Sequence, residues 1–184
     1  MQSLVGFLKM KLFEVIHDTF EPFMDGEKKP LNVMEVTNLW FFLLATETTM
    51  RNEELGCNLA QDVELKQILT DIKENVHTPI RNEIGEFLKK EGVPLPQTTA
   101  EKPVGDYRDI PEGAKLNDEE LANLMSYNLA QGVAYAARGL TESIRADVSL
   151  MFSKIIMKKT MAGLTLKQYL EQHEWLRIPP YYKE

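Results

Sequence analysis

What most constrains this chain is a stretch of roughly 24 residues, 93–116, lying between two pairs of long helical patterns. Pro94, Pro96, Pro103 and Pro111 punctuate it and rule out a helix there. Extended, it reaches roughly 80 Å, whereas a helix of about 28 residues is about 42 Å long. It can therefore run the full length of a helical bundle and let the next helix return parallel to the previous one. In an up-down-up-down bundle the same segment would be only a long surface loop. Its reach favours the crossover.

The flanking patterns are helical throughout, and no run alternates like a strand. A first amphipathic helix is expected from about Ser3 to Met24, ended by the segment DGEKKP (Asp25–Pro30). A second is expected from Asn32, a good N-cap, to about Leu59. A third starts at Gln61–Asp62 and ends near Glu91–Gly92, with Pro79 kinking it. Asn117 caps a fourth, with Glu120 placed for a capping box, and this helix runs to about Gly139. A fifth is expected from near Thr141 to about Trp175. Two hairpins joined by one crossover make an all-α, ferritin-like four-helix bundle. The expected organisation is residues 1–29 as an N-terminal amphipathic helix and hinge, and 30–184 as the bundle.

Seven-residue spacing assigns inward faces. In the second helix it selects Val33, Trp40, Glu47 and Glu54, with Val36, Leu43, Met50 and Cys57 on the next line. In the third, Leu65, Leu69, Ile72, Val76, Ile80, Ile84 and Phe87 make the apolar face, and Glu83 falls on it. In the fourth the spacing selects Leu121, Leu124, Met125, Asn128, Gly132, Tyr135 and Ala136. In the fifth it selects Ile144, Val148, Met151, Phe152, Ile155, Ala162, Leu166 and Tyr169, with Lys159 among them.

Interior carboxylates in a bundle raise the question of a di-metal centre, built from one Glu on each of two helices and Glu-x-x-His on the other two. Glu74-Asn-Val-His77 matches formally. Glu74, however, lies about 150° from the centre of its apolar face at 100° per residue, so it points to solvent. The fourth helix carries no acidic residue between Glu120 and Glu142, and Glu142 is followed three residues on by Arg145 instead of His. The metal candidates are therefore partial: Glu47, Glu54, Glu83 and His77. The plainer reading pairs these glutamates with Lys159, Arg145 or Arg81, or with Tyr135 and Asn128.

No catalytic residue stands out. His17, His77 and His173 show no ligand spacing, no glycine-rich phosphate loop is present, and no cofactor is expected. The lone Cys57 cannot form an internal disulfide and reads as a buried thiol. With 28 acidic against 21 basic residues, the net charge of −7 disfavours a nucleic-acid partner. The apolar N-terminus is interrupted by Lys9, Lys11 and Glu14, so no membrane span is expected, and the chain reads as cytoplasmic.

The fifth helix carries a second apolar stripe, Met157, Met161 and Leu164, nearly opposite its core face. Leu8 and Leu12 of the first helix are the expected cover, either in the same chain or by exchange in a homodimer.

PLNVMEVTNLW (30–40), FLKKEGVPLP (87–96), DIPEGAKLNDEELAN (109–123), SIRADVSLMF (143–152) and EWLRIPPYY (174–182) together resemble a domain-of-unknown-function family of spore-forming Firmicutes. That family carries a spore-coat label and is similar to the coat protein F group. The resemblance implies a ferritin-like bundle and a structural role in the spore coat, with other coat proteins as partners. It brings no established catalytic residues. Many members carry two tandem bundles where this chain has one. The expected function is thus a non-enzymatic structural or interaction protein. The rival is a ferritin-like metal or redox protein using the partial site.

Overall fold

A computed structural model describes residues 11, 14–24 and 28–182. The bundle helices are α1 (Val33–Leu59), α2 (Val63–Ile72) and α3 (Thr78–Lys90), α4 (Asp118–Glu142) and α5 (Ala146–Gln172). A π-helical turn, Lys73–His77, joins α2 to α3 in one continuous rod. Among the described residues there is no strand. Residues 14–20 are helical and run into a 3₁₀ turn, Glu21–Phe23.

Each hairpin opens on a capping box. Asn32 Oδ1 accepts from Glu35 N at 3.0 Å, and Glu35 Oε2 accepts from Asn32 N at 2.9 Å. Asn117 and Glu120 repeat the exchange at the head of α4, both at 2.8 Å. Each box satisfies two backbone donors that a helix start leaves unpaired. At the head of α2, Asp118 caps from outside: its carboxylate accepts from Gln61 N at 2.9 Å and Asp62 N at 3.0 Å.

That last contact fixes the topology, because it sets the start of α4 beside the start of α2. The segment after α3 returns along the outside of α1. Trp40 Nε1 donates to Pro94 O at 3.0 Å, Lys102 N to Glu54 Oε2 at 2.7 Å and Gly105 N to Asn58 Oδ1 at 2.9 Å. The connection therefore spans the bundle, and α4 runs parallel to the α2–α3 rod. Asn38, near the start of α1, bonds Glu142 at the end of α4 at 2.9 Å. The ferritin-like crossover expected from the linker is the observed one.

Leu39, Leu69, Ile80, Ile84, Leu129, Phe152, Ile155 and Leu166 are among the buried residues of one continuous core. α4 and α5 approach closely at Gly139, where a Cβ would lie 2.4 Å from the Phe152 ring. The Phe152 ring meets Phe42 edge-on at 6.0 Å.

Some inward assignments are corrected. In α1 Leu43 and Met50 are buried as expected, but the helix also buries two lines not assigned inward: Glu35, Phe42, Thr49, Gly56 and Leu39, Thr46, Glu53. Val33 is 80% exposed and sits in the first turn, beyond the core's reach. Leu124 and Tyr135 are exposed on α4, and Ile144 is not in a helix at all. The fifth helix begins at Ala146, not near Thr141, which with Glu142 ends α4. Glu35 causes that break: its buried Oε1 accepts from Ile144 N at 2.8 Å and Arg145 N at 2.7 Å, holding both amides out of helical bonding.

Leu8 and Leu12 lie outside the described residues. Met157 and Met161 are half-buried and Leu164 is exposed.

Candidate functional site

The site starts from Pro79. A proline inside a helix donates no backbone hydrogen bond, and its ring collides with the carbonyl four residues earlier, here Asn75. The rod answers with a wider turn just before it, in which Thr78 N–H bonds Lys73 O, five residues back. Such a turn inserts one residue, advancing the side chains after it by about 100°. His77, which straight-helix geometry sets at the edge of the apolar face, is thereby fully buried.

Inside, His77 joins two charged side chains from other helices. Its Nδ1 lies 2.5 Å from Oε1 of Glu53 on α1, and its Nε2 lies 2.5 Å from Nζ of Lys159 on α5. Glu53 is 0% and Lys159 3% exposed. Burial pushes the Glu53 carboxyl up to about 8; the charges of Lys159 and Lys73 oppose this and Glu54 adds to it. Burial also lowers Lys159 to about 8, with Glu53 opposing. His77 is held well below its usual value by burial, and then by the Lys159 charge. A neutral imidazole fits both contacts: Nδ1–H donates to the Glu53 carboxylate, and Nε2 accepts from the Lys159 ammonium. Moving both protons along the chain gives neutral acid, imidazole and amine with no change in net charge. The triad is a short hydrogen-bonded chain linking α1 and α5.

Gly132 on α4 makes room for Lys159: a Cβ there would lie 2.7 Å from its Cδ and 2.8 Å from Nζ. Lys159 also lines a cavity of about 620 Å³ between α1 and α4. Asn128 Nδ2 donates to Thr49 Oγ1 across the same space at 3.0 Å.

The residues singled out in the sequence are not brought into one group. Glu47 faces Arg81 at 3.9 Å, and Glu83 faces Lys154 at 3.6 Å. Glu54 is buried between Arg51 at 3.0 Å and Lys73 at 3.3 Å. Only His77 belongs to the triad. Glu74 points to solvent, as its angle requires. Glu53 was missed, although it falls seven residues after Thr46 and fourteen after Leu39, on a line with no other charge. Among the described residues, the one cluster of His and carboxylate atoms close enough to share a metal is His17, Asp18 and Glu21, all exposed. The interior donor set does not fit a di-metal centre: it offers one carboxylate and one imidazole, and an ammonium already occupies the second imidazole nitrogen.

Residues 21–184 match the model of a family described as "Protein of unknown function (DUF3231)". The chain belongs to that family. The DUF3231 chain is 30% identical over 154 residues to the "Uncharacterized protein YvdQ" of Bacillus subtilis, covering 84% of this chain and 90% of that protein. It is similar to the crystal structure of a "putative spore coat protein" from Bacillus halodurans, with a TM-score of 0.82 and 28% identity over 85% of this chain and 98% of the other. A two-domain protein from Anabaena variabilis, containing DJ-1/ThiJ/PfpI-like and ferritin-like domains, superposes with a TM-score of 0.62 at 13% identity. That match covers 82% of this chain and 40% of the other, and bears on the fold alone. No helix among the described residues is long and apolar enough to cross a membrane.

Proposed function

We propose that this DUF3231 chain is a non-enzymatic structural and interaction protein of the spore coat, made in the cytoplasm and deposited on the coat. One observation carries the reading. At the centre of a ferritin-like bundle, the cation held by Glu53 and His77 is the chain's own Lys159 ammonium. The fold thus serves as a scaffold whose interior charge is internally balanced. The likeness to the Bacillus halodurans protein supports the coat setting.

The working unit in this reading is a homodimer, or a complex with other coat proteins. The surface that favours it is the Met157–Met161–Leu164 stripe. Beside it runs a groove of about 610 Å³ between α2 and α5, lined by Gln67, Ile68, Val76, Met161 and Thr165. The N-terminal segment reaches the same side of the bundle, where Glu14, His17 and Asp18 stand over Glu83, Lys154 and Lys158.

Fractionation of spores made with a tagged chain tests the setting: the tag should track with the extracted coat. Metal analysis of protein purified without chelator or affinity-resin metal tests the chemistry. Two equivalents of bound iron, with oxygen-dependent oxidation, would overturn the proposal and establish the metal or redox alternative. Light scattering tests the assembly; a monomer unchanged by deletion of residues 1–26 would refute the N-terminal contribution to a dimer.

A further inference from the structure

The cavity beside Lys159 has the dimensions and chemistry of a ligand site. Its volume of about 620 Å³ falls within the range for small-molecule pockets, roughly 300–1,000 Å³. Phe41 and Phe42 of α1 give it an apolar wall, Thr49 and Asn128 supply hydrogen-bonding groups, and Tyr135 stands at its α4 side. Among the described residues, no Asp or Glu lines it. Its cations are the buried Lys159 and Arg138, and Arg138 is already held by Glu142 at 3.0 Å. The floor of the cavity is therefore a single buried ammonium, beside an aromatic wall, with no acid facing it across the space.

Lys159 does not reach that place by default. Its stem passes over Gly132, where a Cβ would stand 2.7–2.8 Å from Cδ, Cε and Nζ. An alanine there would push the lysine away from His77. His77 takes one of the three ammonium hydrogens, and the ammonium lies 5.9 Å from the centre of the Phe42 ring on the cavity's apolar wall, so its remaining donor capacity is on the side where a ligand would sit. From these observations we infer that the cavity binds a small organic monocarboxylate, its carboxylate on Lys159 and its apolar body against Phe41 and Phe42. This goes beyond the structural role proposed above and does not depend on it.

Glu53 already balances Lys159, so an arriving anion needs its charge accommodated. The imidazole of His77 keeps Glu53 one residue away from the ammonium. Oε2 of Glu53 is buried with no hydrogen-bond partner among the described residues. A proton on that oxygen leaves both His77 contacts intact and frees Lys159 to pair with the ligand. The charged groups that face Glu53 are Lys159 from α5, Lys73 from the π turn, and Glu54 beside it on α1.

The test is isothermal titration of the full chain with hexanoate and, in parallel, with hexan-1-ol, which has the same carbon chain and no charge. Hexanoate should saturate one site per chain, and hexan-1-ol should bind at least about tenfold more weakly. Lys159→Met should weaken hexanoate by at least about tenfold, about 1.4 kcal/mol. Ala45→Trp, at an exposed position on the cavity wall, should block hexanoate while leaving the triad untouched. Circular dichroism checks that each variant is folded. Should Lys159→Met fail to fold, Ala45→Trp and the alcohol comparison decide. Absence of saturable hexanoate binding up to about 10 mM overturns the inference. So does equal affinity for the alcohol, or unchanged hexanoate binding in Ala45→Trp.

Discussion

Burial opposes ionisation in two of this bundle's charge networks, and only in one of them do hydrogen bonds outweigh it. At one end, Arg145 binds Glu91 through two bonds of 2.8 Å and Asp147 through bonds of 3.1 and 2.8 Å. It also donates to Lys29 O at 3.3 Å, while Lys28 reaches Asp147 at 2.9 Å. That clamp ties the N-terminal hinge, the end of α3 and the start of α5 together. Arg145 is raised and Glu91 lowered chiefly by the hydrogen bonds between them and Asp147; burial is the largest single influence on Asp147 and raises it, but the bonds from Arg145 and Lys28 together outweigh it and lower Asp147 to about 2. In the central triad, desolvation outweighs attraction, and Glu53 and Lys159 are drawn to nearly the same value, about 8. The difference lies in partners and water. Glu91 and Asp147 keep side-chain exposures of 23% and 17%, and the guanidinium meets two carboxylates in its own fork geometry. In the triad each charge has one hydrogen-bonded contact, to His77, and all three side chains are almost fully buried. The clamp joins three elements near the surface, whereas the triad joins three helices inside the core.

The largest effect expected from breaking this contrast is at the triad. Lys159→Met takes from the buried Glu53 the cation that bears on it most, leaving only Lys73, and should cost about 3–5 kcal/mol in urea unfolding, a large part of a domain's total stability. Replacing all three residues together, with Leu at 53 and 77 and Met at 159, should be near neutral or stabilising by about 1–4 kcal/mol. If the triple replacement costs as much as the single one, the triad stabilises the fold outright and the contrast fails.

The two networks should also part company with pH. Glu53 is raised in the fold from 4.5 to about 8, so its contribution is complete below 4.5 and is lost as the pH rises toward 8. Lys159 works against this: lowered from 10.5 to about 8, it disfavours the fold below 8 and releases that penalty between 8 and 10.5. Comparison with Glu53→Gln isolates the carboxyl's contribution. Wild type should lose stability relative to this variant from pH 4.5 to 8, by at most about 1.4 kcal/mol per pH unit. Asp147 has the opposite sign: lowered from 3.8 to about 2, it stabilises above 3.8 and loses its contribution as the pH falls toward 2. The gap between wild type and Arg145→Ala should therefore close over that acid range. A gap that stays constant would mean Asp147 is not held by Arg145.

Near neutral pH, Arg145→Ala itself should cost less than the triad break, about 1–3 kcal/mol, because water can still reach Glu91 and Asp147. Arg145→Lys should recover only part of this, since an ammonium cannot hold two carboxylates bidentately. Full recovery in urea unfolding would show that the charge alone matters at the clamp.

How much of this was legible in the sequence depended on which residues carried the pattern. The α2–α3 face was readable through Leu65, Leu69, Ile72, Val76, Ile80 and Ile84, all buried, because apolar residues mark a helical face unambiguously. The crossover was readable from length and prolines alone. α1 was readable at Leu43, Met50 and Glu54, which are buried, but misled elsewhere because its buried lines are partly polar: Glu35, Thr46, Thr49 and Glu53 lie inside, while Val33 lies outside. An apolar count cannot see a carboxylate buried to cap a loop, as Glu35 does, or to meet a histidine from another helix. Lys159 stood on its predicted inward line, but its partner was hidden by the turn before Pro79. Pro79 reads as a kink, whereas the helix passes it by widening into a π turn. Widening carries His77 inward, and that outcome depends on Glu53 and Lys159 waiting in the core.

Glu74 offers the smallest and most local test of that turn. It lies three residues before His77 inside the same π-helical segment, yet it is exposed where His77 is fully buried. In a turn wound as observed, its carboxylate takes no part in the triad, and replacing it removes neither packing nor a buried charge. Glu74→Ala should therefore change stability by no more than about 0.5 kcal/mol, the range for a surface site away from special features. His77→Ala, in the same turn, should behave like the other triad breaks. Urea unfolding of the two variants side by side makes the comparison within a single helical turn. A cost at Glu74 approaching that at His77 would mean that the carboxylate is buried in the bundle, against its exposed place in the turn, and that the side chains of this segment are arranged differently from those that bring His77 to Glu53 and Lys159.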